Sequence, residues 1–542
     1  MRLHSFTARL KSLAFVFGIA TAFTSCANED VTQNPTNSNE ENDKNITIFV
    51  AGDETKTRTS LDYSSGNFYW EEDDYIYVKD DDGILRRSRN APTSKVAAFK
   101  YMVPGKFTAS ASYKVYYLGK NSNFVDRKVT ISAIQIQAKP DNTEHFGTSG
   151  DYGTAMATKV AGKQQFAFEL EHQPAYLVFL PYTSNTILNK CYLTKVEVIS
   201  DNDIAETYTV NTSTDNLKIS AGGKKITLIT GGNGSNPYGF LLTNSVPSLT
   251  TNGAYMIIKP GSHILKVRYW VKDIVTHVEG TITKSLPSTN YASNTYYDVT
   301  ANLNVRDYDG NYYMWDAQDQ YWKGHEWNLG GSQPILNYNL FGATTSNDYA
   351  YNNSDPRYYN KTNFGPGISN PATHTPCKDL PNANEMSWYV MYGDPRWDGD
   401  EVWTTMGHLY KGGMWLKKKS VLIAEGHYNT EKSADGTTDL RTTRKGGYSN
   451  TNSIIDSSGL PSAADASNYF YLPTLGNYYS GKLLNVGSIG CYWSSSAVPM
   501  ISGYVPINSN IDKLAYCLNI GRSYVGVSNN TRDLGFRVGM FE

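Results

Sequence analysis

Cysteine is scarce, with five residues in 542 and no CxxC pair, so the commonest zinc and dithiol redox motifs are missing. The nine histidines, His172, His277, His325 and His408 among them, include no HExxH, which excludes that metalloprotease centre. No GxSxG is present to build a hydrolase nucleophile elbow. The glycine-rich stretch GGNGSNPYG (231–239) runs into a strand-like segment rather than a helix, so it lacks the setting of a phosphate loop. Neither sign of charge is in excess: 49 Lys and Arg against 51 Asp and Glu give −2, and no basic field draws nucleic acid. Beyond residue 23 no apolar run reaches the roughly 18 residues of a membrane-spanning helix.

What is present begins with a leader. Arg2, Arg9 and Lys11 stand in an acid-free start, and LAFVFGIATAF (13–23) is apolar but too short to span a bilayer, the pattern of a secretory signal peptide over residues 1–25. Thr24 and Ser25 then lead into Cys26, which resembles a bacterial lipoprotein box. That resemblance implies acylation of Cys26 by a lipid such as palmitate and a precursor held at the outer membrane. Residues 26–45 are rich in Asn, Glu, Asp, Thr and Ser and too polar to bury a core, so they read as a disordered tether. Glu29 and Asp30 resemble the surface-export signal of lipoproteins from Bacteroides-like bacteria.

From Ile46 onward, apolar residues recur with period two. In LKVRYWVK (265–272), Leu265, Val267, Tyr269 and Val271 point one way and Lys266, Arg268, Trp270 and Lys272 the other, as in a half-buried strand. ITIFVAG (46–52), YKVYYLG (113–119), YLVFLPY (176–182) and AYMIIKP (254–260) repeat the pattern between polar turns, and the fold class expected is mostly β. Two tandem β-sandwich domains are placed at 46–184 and 185–303.

The ordered series ITIFVAGDETKTRTSLD, FYWEEDDYIYV, LEHQPAYLVF and GAYMIIKPGSHILKVRYWV resembles the fimbrillins, lipoprotein-derived pilin subunits of Bacteroides-type bacteria, over residues 46–303. The resemblance implies export to the cell surface, proteolytic cutting after an Arg or Lys beyond the first strand, and a groove filled by a strand from another subunit. On this chain, ITIFVAG would be the removable strand and Arg58, or else Lys56, the cut site. Arg58 also fits a plain solvated loop residue.

Composition changes near residue 304. Eight of the ten tryptophans lie beyond it, among Gly, Asn, Ser and Tyr, and long irregular segments replace the alternation. LPTLG, GCYWSSSAV, LAYCLNI and LGFRV resemble the Fibrobacter-type major paralogous domain, a secreted module related to C-type lectins. An α+β lectin-like domain is therefore expected over 304–542, with a helix at NEMSWYV capped by Asn384. That fold would bring Cys491 and Cys517 close enough to be the candidate disulfide. Aromatic faces stack on sugars, so Trp315, Trp322, Trp327, Trp397 and Trp403 are candidate ligand residues, although large aromatics equally fill the core of an irregular domain. The acids of DPRWDGDE (394–401) and RDYDGN (306–311) lack EF-hand spacing and read as solvated loop acids, so no metal is assigned. No catalytic residue and no cofactor is assigned.

The chain ends soon after LGFRVGM, which leads to the expectation of a subunit that accepts a strand but donates none. The reading is a non-enzymatic pilus tip subunit and adhesin at the cell surface, partnered by other fimbrillin subunits and by a host or bacterial surface ligand such as a glycan. The alternative is a permanently lipid-anchored glycan-binding lipoprotein that uses the sandwiches as a spacer. An enzyme acting on surface polysaccharide is a third reading and would need an acid pair across a cleft.

Overall fold

A computed structural model of the chain describes residues 6–9, 45–52, 60–63, 67–120, 122–123, 128–211, 216–232, 237–274, 277–335, 345–360, 371–445, 447–451, 454–457, 459–462, 465–499, 513–539 and 541–542. Cys26, Lys56 and Arg58 lie outside the described residues. The fold is mostly β, and no described helix is long and apolar enough to cross a membrane.

The first sheet runs, in spatial order, Leu85–Arg87, Ile76–Lys79, Ser112–Tyr117, Gly153–Lys159, Gln165–Phe168, Ile46–Ala51 and Phe99–Pro104. Its core forms around Trp70, which meets Tyr101, Tyr117 and Phe168 edge-on at 5.4, 5.7 and 6.4 Å between ring centres. Such arrangements set the positive edge of one ring against the negative face of another.

The second unit is a sandwich. One sheet has Ala175–Tyr182 at its centre, antiparallel to Ala254–Ile258 and parallel to Thr295–Asn302. The other carries Lys225–Ile229, Tyr192–Ser200, Leu265–Lys272 and Glu279–Ser285 in that order. Leu177, Phe179, Val196, Val198, Met256, Val267 and Tyr269 are fully buried in one core between them.

Strand Ala175–Tyr182 therefore belongs to the second sandwich, although it precedes the expected boundary at 184/185. Lys128–Ile131 and Ile134–Ile136 also pair into this region, with Ala205–Asn211 and Lys225–Ile229. Alternation marks a strand and its buried face, but it does not say which strand lies beside it.

The C-terminal region mixes helix and sheet. Arg396–Thr405, His408–Lys417 and Tyr469–Pro473 form one antiparallel run; Ile489–Ala497, Leu514–Gly521 and Tyr524–Thr531 form another. Helix Ala383–Tyr392 has its cap two residues ahead of the one expected at Asn384. Asn382 is the N-cap, accepting from the Glu385 N–H while the Glu385 side chain accepts from the Asn382 N–H. Only this spacing puts a Glu three residues after the cap to complete a capping box. Asn384 is buried inside the helix, where its amide holds Asp439, the Thr430 carbonyl and the Leu440 N–H.

Candidate functional site

Two places combine sequence interest with geometry: the seat of the first strand, and the seam between the second sandwich and the C-terminal domain. Ile46–Ala51 lies inside its sheet, parallel to Gln165–Phe168 on one side and antiparallel to Phe99–Pro104 on the other. Both rows of its main-chain groups are therefore used. Phe49 is fully buried, stacked on Phe166 at 5.2 Å and edge-on to Phe107 at 5.1 Å. Without this strand, two ladders and an aromatic pocket would face water, the surface that β-strand addition requires.

The five candidate tryptophans do not form one surface. Trp315, Trp322 and Trp403 are buried: Trp315 donates to the Ser494 carbonyl under the Arg532 guanidinium, Trp322 packs on Tyr478, and Trp403 donates to the Gly412 carbonyl and stacks on Tyr410. They fill the core and cannot stack on a ligand. Trp327 and Trp397 are half-buried. Trp397 lines a cleft of about 510 Å³ with Arg268, Asp398, Asp400, Leu460 and Arg522.

That cleft opens at the seam, where strand Glu279–Ser285 meets Arg396–Thr405 through the pair Thr281 and Glu401. Arg268 of the sandwich reaches Asp398 at 3.3 Å, Glu197 at 3.8 Å and Asp400 at 3.9 Å, and donates to the Thr281 hydroxyl at 3.0 Å. Lys266 donates to the Pro461 carbonyl at 3.1 Å. The acids singled out in the sequence are thus engaged within the protein: Asp394 with Arg396 and Tyr469, Asp398 with Arg268 and Trp415, and Asp309 with Arg537. Among the described residues no group of three or more His, Cys, Asp or Glu side chains is placed to hold a metal ion.

Glu401 accepts from the Thr283 N–H at 3.3 Å and from the Thr283 hydroxyl at 2.9 Å. Burial, reinforced by the Asp398 charge, raises its carboxyl from 4.5 to about 7 against the opposing pull of Thr283 and Arg268. Between those two values the folded chain keeps a proton that the unfolded chain has released, so this group's contribution to stability falls as pH rises through the window. Glu401→Gln is expected to flatten that slope. The variant should gain on the order of 2 kcal/mol at pH 8 and little at pH 5, read from denaturation at the two pH values.

Cys491 and Cys517 are not joined; both are free and buried, as are Cys191 and Cys377. Their strands are adjacent, but Cys491 faces Asn519 and Cys517 faces Trp493, so the sulfurs sit two positions out of register. Burial pushes the Cys191 and Cys377 thiols up to about 12 and raises those of Cys491 and Cys517 as well. Thiolate is the reactive form, so in protein lacking residues 1–44 these four thiols should ignore an aromatic disulfide reagent at pH 8 until guanidinium is added. Dithiothreitol should leave the melting temperature unchanged; a drop would mean that a disulfide exists.

Sequence reasoning passed over Trp415, Tyr471 and Lys284, which also line the seam. Their signal is weak: Trp415 lies in GGMWLKKK (412–419) and Tyr471 in NYFYLP (468–473), aromatic stretches that mark no face and no ligand by themselves.

The chain matches no family model and no curated protein. Among solved structures, a protein from Bacteroides ovatus assigned provisionally to cell adhesion is 16% identical and covers 47% of this chain and 92% of its own, with a TM-score of 0.29. The fimbrial anchor protein from Porphyromonas gingivalis is 14% identical over 44% of this chain and 82% of its own, at 0.23. A fimbrial protein from Bacteroides ovatus is 11% identical over 91% of this chain and 99% of its own, at 0.22. Likenesses this low carry no argument about function.

Proposed function

We propose that the chain is a fimbrial-type surface subunit with an adhesive C-terminal domain, joined to its fibre by strand addition. The observation that carries this reading is the position of Ile46–Ala51, an interior strand that enters the fold just ahead of Lys56 and Arg58. A cut after either basic residue would release the strand together with the tether and Cys26. The freed edges of Gln165–Phe168 and Phe99–Pro104, with the pocket of Phe49, then suit an extended segment of alternating apolar residues from another subunit. The leader and Cys26 fit a lipoprotein precursor held at the outer membrane until that cut. The resemblance of residues 46–303 to fimbrillins supports the same scheme.

Leu514–Gly521 and Tyr524–Thr531 are paired within their own sheet, and Phe536 and Arg537 bridge to Tyr313 and Tyr492. Segments already paired at home suit a strand acceptor better than a donor, and a place at the fibre tip with the C-terminal domain outward fits that pairing. Fibres sheared from cells and labelled with antibody against residues 371–542 should carry the label at one end. Label along the whole length overturns the tip position. Label confined to the envelope, on protein still acylated at Cys26, favours the permanently anchored lipoprotein instead.

A further inference from the structure

A second cleft at the seam, of about 320 Å³, is walled by Lys284 of the sandwich and by Arg306, Glu401, Trp415 and Tyr471 of the C-terminal domain. Its volume is at the small end of ligand sites, which span roughly 300–1,000 Å³. The two acids on its wall are already engaged. Glu401 is held by Thr283, and Glu542 lies 3.6 Å from Lys418. The two cations are not: among the described residues neither Lys284 nor Arg306 has an ion pair within 4.0 Å. Burial lowers the Lys284 ammonium, with only the Glu401 charge opposing it, and the Arg306 guanidinium lies 5.1 Å from the Tyr308 ring centre. Burial and the Asp398 charge raise the Glu401 carboxyl to about 7, so below that value Glu401 is largely neutral and the charge left over in the cleft is positive.

Aromatic rings make up much of the rest of the wall, and two of them are held in place. The indole N–H of Trp415 donates to Asp398 at 3.2 Å, and its ring meets Tyr471 at 5.1 Å and 55°. Rigid rings offer a face to a flat amphipathic ligand with little ordering entropy to lose. An anion with such a face is a sugar acid. Its carboxylate matches the two cationic side chains on the wall, and its C–H face matches the rings.

We propose that this cleft binds an acidic saccharide unit, a hexuronic or sialic acid, with its carboxylate between Lys284 and Arg306 and its ring on Trp415 and Tyr471. The proposal rests on the adhesive reading of the C-terminal domain and names what that domain grips.

Calorimetric titration of protein lacking residues 1–44, which keeps the first strand, with a hyaluronan tetrasaccharide, sialyllactose and uncharged lactose tests it. Binding of at least one acidic sugar is expected, with lactose at least tenfold weaker. Lys284→Gln and Arg306→Gln should each weaken the acidic sugar about tenfold, the loss of one charged hydrogen bond. Lys284→Arg, which keeps the charge, should retain binding and controls for folding. Equal binding of lactose, of inorganic phosphate or of a poly-glutamate peptide overturns the proposal, as does binding that Lys284→Gln leaves unchanged. If no acidic sugar binds while the same protein still labels fibre ends, the cleft assignment fails and the fimbrial reading stands.

Discussion

Phe49→Ala is expected to cost the first sheet about 3–5 kcal/mol, the range for deleting a fully buried aromatic ring. Phe49 has no exposure and closes the space between Phe166, fixed by its strand ladder, and Phe107, packed edge-on against Tyr113, so the cavity collapses poorly. Ile48→Ala on the half-buried face of the same strand should cost only about a third as much. Hydrogen exchange of residues 99–104 and 165–168 reads the effect where it arises, since these are the neighbours that lose their ladder. A loss below about 1 kcal/mol would mean that the strand is loosely seated and that its removal opens no groove. The same geometry constrains a donor: its residue in the Phe49 position should be large and apolar.

Arg268→Ala is expected to loosen the seam by about 3 kcal/mol. The guanidinium is nearly covered, and the Asp398 carboxylate opposite it more so, at 11% and 2% side-chain exposure. Removing the cation leaves Asp398 and Glu197 short of their counter-charge in a poorly hydrated site, the costly half of breaking a buried pair. Lys266 nearby offsets part of this, which is why the lower end of the usual range is expected. The readout is protease cutting near residue 304. Faster cutting in the variant, with the midpoint of the first sheet unchanged, is predicted. Unchanged cutting would show that the two parts are held together by apolar contacts alone.

Arg268 also shows how far the sequence could be read. Alternation in LKVRYWVK correctly gives a strand over Leu265–Lys272 with Leu265, Val267, Tyr269 and Val271 fully buried. It also gives Lys266 and Arg268 to the other face, which would normally be wet. Both are buried, because that face is covered by the C-terminal domain and its carboxylates. A charge that meets its partner 130 residues away leaves no periodic trace. The tryptophans fail for a related reason: their abundance beyond residue 304 is visible, but whether an indole points into a core is decided by neighbours such as Ser494 or Tyr478. The expected disulfide fails on register, since a two-residue offset between adjacent strands cannot be counted from spacing. The helix at Ala383–Tyr392 was legible because its signal is local; only the choice between two asparagines needed the capping box.

The central claim is that Ile46–Ala51 is removed and replaced. Mass spectrometry of the N-terminus of protein sheared from the cell surface tests it most directly. A start at Thr59, after Arg58, or at Thr57, after Lys56, is predicted. Surface protein that still carries residues 46–51 behind an acylated Cys26 would contradict it.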